Sequence, residues 1–224
     1  MDLKNYLTER RRARIDEVLS RRTRGVVLVL EGVHDPHNVA ACLRSAEGLG
    51  LQEVHVVAAA DFKPHKKIAK SSDKWLDVHF HRTPEDAAVA LKGRGYRLYA
   101  AALTAAAVPI GALDFREPIA LVLGNEHEGI SAELQDLCDG AFVIPMRGFT
   151  QSFNVSVATG ITLYHAVCAR AAALGPEGDL DPADREALRL RWVELSVPRG
   201  ALLQKELAER EAAGEPTGGP ESRG

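Results

Sequence analysis

Val26-Val27-Leu28-Val29-Leu30 is an unbroken aliphatic run, the pattern of a strand buried on both faces of a parallel sheet. Similar runs near Val54–Ala58, Arg97–Ala101, Ile119–Leu123 and Ala141–Ile144 predict further strands. Between them the apolar spacing turns helical, near Val39–Leu49 and over Pro84–Lys92, where Thr83-Pro84 is a start signal and Gly93 a stop. A long apolar helix from about Phe153 to Ala172 closes the series. Strands alternating with helices predict an α/β domain with a mostly parallel sheet flanked by helices.

The two ends differ from this middle. Leu3 to Arg22 lacks Gly and Pro and carries a thin stripe of Leu7, Ile15, Val18 and Leu19, so it reads as a helix with arginines on its other faces. Charged helices are predicted over about Pro182–Leu195 and Arg199–Ala212, and the Gly- and Pro-rich stretch from Gly214 reads as disordered. The expected organisation is a basic helical arm (1–24), one α/β domain (25–174), C-terminal helices (175–213) and a tail (214–224). With 224 residues, 46% of them hydrophobic, one sizeable core with appendages is what the chain can build.

The net charge of -3 hides an asymmetry. The first 24 residues hold eight Lys or Arg against four acids, whereas residues 177–224 hold eleven acids against seven bases. A basic arm suits phosphate binding, and equally a solvated helix. Cys42, Cys138 and Cys168 are odd in number and never form a C-x-x-C pair, which argues against a disulfide framework or structural zinc and for a reducing, cytoplasmic setting. No uninterrupted apolar stretch has the length of a membrane span, and arginines stand where a signal peptide needs an apolar core. The eight histidines are scattered along the chain, so no metal is expected.

Candidate chemistry lies in the turns after the strands, where α/β sheets place their ligands. Glu31 to Asn38 is a polar loop entering a helix that presents Arg44 six residues after Asn38; a plain N-cap and a surface arginine would explain both. In Gly124-Asn125-Glu126-His127-Glu128-Gly129-Ile130-Ser131 two glycines flank four polar residues before a Ser-capped helix, and such glycines let a ligand approach the backbone. It is neither G-x-G-x-x-G nor a P-loop. The third segment, Ile144 to Ala158, ends a strand at Pro145 and opens the long helix with Gln151, Ser152 and Asn154, polar groups that are costly at so apolar a mouth unless used.

In order and spacing these three segments resemble the three motifs of the SpoU branch of the SPOUT methyltransferases: an Asn with an Arg six residues on, then G-x-E-x-x-G-[IV]-S, then I-P-M-x-G-x-x-Q-S-L-N-V-S-V-A. A Ser-x-Lys-Trp element at Ser72-Asp73-Lys74-Trp75 and the arginine-rich arm resemble the tRNA guanosine-18 2'-O-methyltransferases in particular. The resemblance implies a sheet with a deep C-terminal trefoil knot, S-adenosyl-L-methionine as cofactor, and methylation of a ribose 2'-hydroxyl in RNA, the D-loop guanosine at position 18 of tRNA. It assigns catalysis to Asn38, Arg44, Ser152 and Asn154, and cofactor binding to Ala101, Leu103, Gly124, Asn125, Glu126, Ile144, Met146 and Phe153. On an ideal helix Asn38 and Arg44 point about 120° apart, so they converge only if Asn38 is in the cap and Arg44 reaches back.

Arg11, Arg14, Arg22, His37, Lys92 and Arg170 are expected on RNA phosphates. A homodimer is expected too, because the long helix carries Val155, Val157, Ile161, Leu163 and Val167, more apolar residues than one side of one domain should bury. The sequence departs from the family's pattern at Phe153 for leucine, Ala101 for threonine, His127 for lysine, and Cys168-Ala169-Arg170 for Arg-x-Arg. The last two departures remove positive charge and keep a ribosomal RNA substrate open, and a catalytically inactive RNA-binding relative is the alternative of a different class.

Overall fold

Among the described residues, seven strands form one sheet in the order β3-β2-β1-β6-β4-β7-β5, every neighbouring pair parallel. The computed structural model describes residues 6–58, 73–125 and 128–197. The strands are β1 (Val26–Glu31), β2 (Glu53–Val57), β3 (Asp77–His81), β4 (Arg97–Ala101), β5 (Val108–Pro109), β6 (Ile119–Leu123) and β7 (Gly140–Val143). The helices are α1 (Glu9–Leu19), α2 (Pro36–Gly48), α3 (Pro84–Lys92), α4 (Ala132–Asp136), α5 (Val155–Leu174) and α6 (Pro182–Ser196).

All six residues of β1 are buried, as are all five of β6, because both strands lie inside the sheet with helices on each face. Successive side chains point to opposite faces. Val26, Leu28 and Leu30 therefore pack in one layer with Val39, Cys42 and Leu43 of α2 and Leu163 and Ala166 of α5, while Val27 and Val29 join Ala88 and Leu91 of α3 and Leu134 of α4. Each aliphatic side chain fully withdrawn from water contributes about 1.5–3 kcal/mol. These layers hold the strand ends rigid. The chain reaches the edge at β5 before β6 inserts between β1 and β4 and β7 between β4 and β5, so late segments fill gaps left by earlier ones.

Two strands have no counterpart in the expected elements. β3 is an edge strand with polar residues at Asp77, His79 and His81, and β5 is only two residues long. At α2 the cap is Asp35, which accepts from the His37 amide at 2.8 Å with Pro36 in the first turn; Asn38 sits inside that turn rather than at the cap. At α5 the cap is Asn154, so the helix starts two residues later than its apolar pattern suggests. By length and composition α5 could cross a membrane, with a mean hydropathy of 1.3, but it packs beside α2 with Val155, Leu163 and Ala166 buried.

The described residues divide into two compact units, one within 22–179 and the other within 1–21 and 180–224. In the smaller unit α1 packs on α6, where Arg189 pairs with Asp16 at 3.1 Å and Arg11 donates to Ser196 Oγ. The helix expected at 199–212 and the tail lie outside the described residues.

Candidate active site

The carboxyl ends of β4, β6 and β7 come together because β4 pairs with both of the others. The turns that leave them enclose a cavity of about 450 Å³. Ala101, Leu103, Gly124, Asn125, Ile144, Met146 and Phe153 all line it, as does Ser152. Glu126, the remaining expected cofactor residue, lies outside the described residues, as do His127 and Ser72.

Gly124 is required by space. A Cβ there would stand 1.9 Å from the carbonyl oxygen of Gly129 and 2.5 Å from the amide of Ile130. The turn beyond it folds back on itself, since Asn125 and Gly129 exchange two backbone hydrogen bonds at 3.1 Å and Asn125 Oδ1 accepts from the Glu128 amide at 2.6 Å. Gly129 closes the turn at φ 71°, in the left-handed region that glycine adopts without strain. Gly124 thus forms a bare backbone wall.

Two ties bring the three polar segments together. Glu31, buried at the end of β1, accepts from both the amide and the hydroxyl of Ser131, at 2.8 and 2.6 Å, while the Ser131 oxygen caps α4. Sequence reasoning gave Glu31 no role; its only signal was a carboxylate ending an aliphatic run. Asn154 holds the Ser156 amide with its oxygen and donates to Asn38 Oδ1 at 3.3 Å, linking the mouth of α5 to the first turn of α2. Asn38, Arg44 and Asn154 are not among the residues that line the cavity. Arg44, two-thirds of a turn around α2 from Asn38, is exposed and makes no hydrogen bond or ion pair among the described residues.

The expected phosphate-binding residues divide. Arg22 is wholly buried, paired with Glu47 at 3.0 Å and donating to the Leu51 carbonyl, so its assignment to RNA is corrected: it holds α2 to the start of the domain. Arg170 also turns inward. Its side chain is 13% exposed, and its guanidinium meets Asp179 at 2.7 Å and donates to the carbonyls of Phe115 and Arg116. Arg14, His37 and Lys92 are exposed; Arg14 pairs with Glu17 and Lys92 with Asp139. Arg10, Arg11 and Arg14 line one open depression along α1.

Three of the histidines converge in space. His55 on β2 faces His79 and His81 on β3, with Glu53 beside them. Burial works to raise the Glu53 carboxyl, but hydrogen bonds from Arg94 and His55 outweigh it and hold the group well below the carboxylate range. Burial, then the charge on His55, pushes His79 and His81 below the ordinary imidazole value.

A parallel sheet whose adjoining strand-end loops surround a cavity with convergent polar groups is the arrangement in which α/β proteins bind small molecules. The SpoU rRNA Methylase family matches residues 25–164, and the chain belongs to that family. It is 38% identical over 188 residues to a tRNA (guanosine(18)-2'-O)-methyltransferase of Thermus thermophilus, covering 83% of this chain and 97% of that one. Among solved structures, the Aquifex aeolicus TrmH/SpoU tRNA modifying enzyme superposes with a TM-score of 0.75 at 30% identity, covering 85% of this chain and 98% of the other. The SpoU methyltransferase AviRb from Streptomyces viridochromogenes, in complex with the cofactor AdoMet, matches with a TM-score of 0.59 at 26% identity, covering 71% and 62%.

Proposed function

We propose that the protein transfers a methyl group from S-adenosyl-L-methionine to the ribose 2'-hydroxyl of guanosine 18 in the D-loop of tRNA. The observation that carries this reading is the convergence of residues from both glycine- and serine-containing loops on one cavity, with Asn154 tied to Asn38 beside it. The cofactor fits what is there: about 450 Å³ is within the range of small-molecule sites, and Gly124 leaves backbone where a side chain would intrude. Leu103, Asn125, Ile144, Met146 and Phe153 would hold it, with Ala101 and Gly124 in contact through backbone and Glu126 following in the same loop. When bound it supplies an electrophilic methyl carbon on a sulfonium.

The chain's own residues then position the hydroxyl and stabilise its charge. Because guanidinium groups are effectively always charged in proteins, Arg44 acts as a cation beside the developing alkoxide and not as a base. With no partner among the described residues, it is available to a phosphate and a ribose oxygen together. Asn38 and Asn154 brace each other near the cavity, and Ser152 lines it. Arg11, Arg14, His37 and Lys92 take RNA phosphates. The trefoil knot belongs with this reading, as membership of the family implies it. So does a homodimer, supported by the exposure of Val157, Ile161 and Tyr164 along one side of α5; light scattering should give twice the 24.2 kDa chain mass, and a monomer would remove it. The reducing setting of the three free cysteines fits a cytoplasmic location.

A ribosomal RNA substrate is the second reading, favoured by the withdrawal of Arg22 and Arg170 from the surface. Incubation with labelled S-adenosylmethionine and total RNA, followed by mapping of the modified ribose, separates the two. Label in tRNA at a guanosine 2'-oxygen is the expected result; label confined to ribosomal RNA, or retention of RNA without transfer, overturns the assignment.

A further inference from the structure

The geometry points to a divalent transition-metal site at the β2–β3 edge of the sheet, with Glu53, His55 and His79 as ligands. Register places His55 directly beside His79, and Glu53 lies two residues before His55 on the same face of β2. One ligating atom from each of the three comes within 4.8 Å of the others, the one such group of histidine, cysteine or carboxylate side chains among the described residues. Glu53 and His55 are almost completely buried, whereas the His79 side chain is 47% exposed, so the site is fixed on its inner side and open to an entering ion on the outer.

Two imidazoles and a carboxylate with a free fourth position suit zinc and its neighbours, whose bonds to nitrogen and oxygen are about 2.0–2.2 Å. Tetrahedral ligands then sit roughly 3.3–3.5 Å apart. His79 Nε2 and Glu53 Oε1 are already 3.5 Å apart; His55 Nε2 and Glu53 Oε1, hydrogen-bonded at 2.7 Å, must separate by about 0.6–0.8 Å. His81 Nε2 lies 2.7 Å from His55 Nδ1 and stacks on that ring, orienting it as outer partners of metal ligands do.

Two guanidiniums oppose a cation here: Arg24 holds only the other carboxylate oxygen, Oε2, while Arg94 grips both, its Nη1 donating to Oε1 itself. A metal on Oε1 displaces the Arg94 Nη1 hydrogen bond from that oxygen, while Arg94 Nη2 at 2.8 Å and Arg24 Nη1 at 3.0 Å stay on Oε2 and orient the group. Arg24 is also neutralised by Asp77 at 2.8 Å. None of the three ligands lines the cavity. The ion would pin edge strand β3, whose one sheet partner is β2.

The test is equilibrium dialysis of the full chain against zinc, beside His79→Ala and Cys168→Ser, the latter controlling for an exposed thiol. Wild type and Cys168→Ser should each bind one equivalent more than His79→Ala, and zinc should raise the thermal midpoint of those two alone. Because His79 is half exposed, its removal should leave the circular dichroism spectrum unchanged. Equal zinc stoichiometry in wild type and His79→Ala, or loss of the equivalent only in Cys168→Ser, would overturn the proposal whatever the methylation activity.

Discussion

Gly124→Ala should damage both stability and the pocket, by an amount that follows from one contact. The new methyl carbon would stand 1.9 Å from the Gly129 carbonyl oxygen, where ordinary contact begins at 3.4 Å, so backbone must retreat by about 1.5 Å. No flexible side-chain end is available to yield, since the three nearest atoms are all backbone. Overpacking of this kind costs about 1–3 kcal/mol. The retreat also strains the paired Asn125–Gly129 hydrogen bonds, worth about 0.5–1.5 kcal/mol each, and the two effects overlap. We expect a loss of about 2–4 kcal/mol in urea unfolding. If even about 1.4 kcal/mol of that is needed to restore the cavity wall, cofactor affinity by calorimetry falls about tenfold. A variant within about 0.5 kcal/mol of wild type, with unchanged affinity, would refute the claim that Gly124 is set by close approach.

Arg44→Ala should lower single-turnover methylation at saturating RNA by about 10²–10³ while cofactor affinity stays near normal, because the residue does not line the cavity. Arg44→Lys should rescue little, since lysine lacks the planar fork; a near-normal rate in Arg44→Ala returns the residue to the surface. The double variant Arg11→Ala, Arg14→Ala should reduce the slope of log affinity for tRNA against log salt by roughly 1.4–1.8, and an unchanged slope makes α1 a solvated helix. His79 and His81 are held below the ordinary value of 6.5, so beneath about that pH the unfolded chain binds protons that the folded one refuses. Stability should therefore fall as pH drops through that range, and fall again below about 4.5 as the depressed Glu53 carboxyl is forced to protonate. A His79→Gln, His81→Gln variant should flatten the first loss and keep the second; chemical unfolding between about pH 8 and 4 measures both.

The interior strands were legible because burial on two faces leaves an aliphatic signature, as at Val26–Leu30 and Ile119–Leu123. β3 was not, since an edge strand open to solvent tolerates Asp77, His79 and His81. The loops that line the cavity were legible in Gly124 and the Ser152 segment, where local spacing encodes a local turn. Arg22 shows the opposite case: an arginine in a basic arm reads as surface, and only the fold brings Glu47 and the Leu51 carbonyl around it. The cluster around Glu53 was hidden for a related reason, because His55 and His79 are 24 residues apart and become neighbours through strand register alone.

The most direct measurement compares two synthetic tRNAs that differ in a single oxygen, one with guanosine and one with 2'-deoxyguanosine at position 18, each incubated with the enzyme and labelled S-adenosylmethionine. The account predicts stoichiometric label in the first and background in the second, with the methyl recovered on the 2'-oxygen after nuclease digestion. Equal label in both would place the methyl elsewhere in the RNA and contradict it.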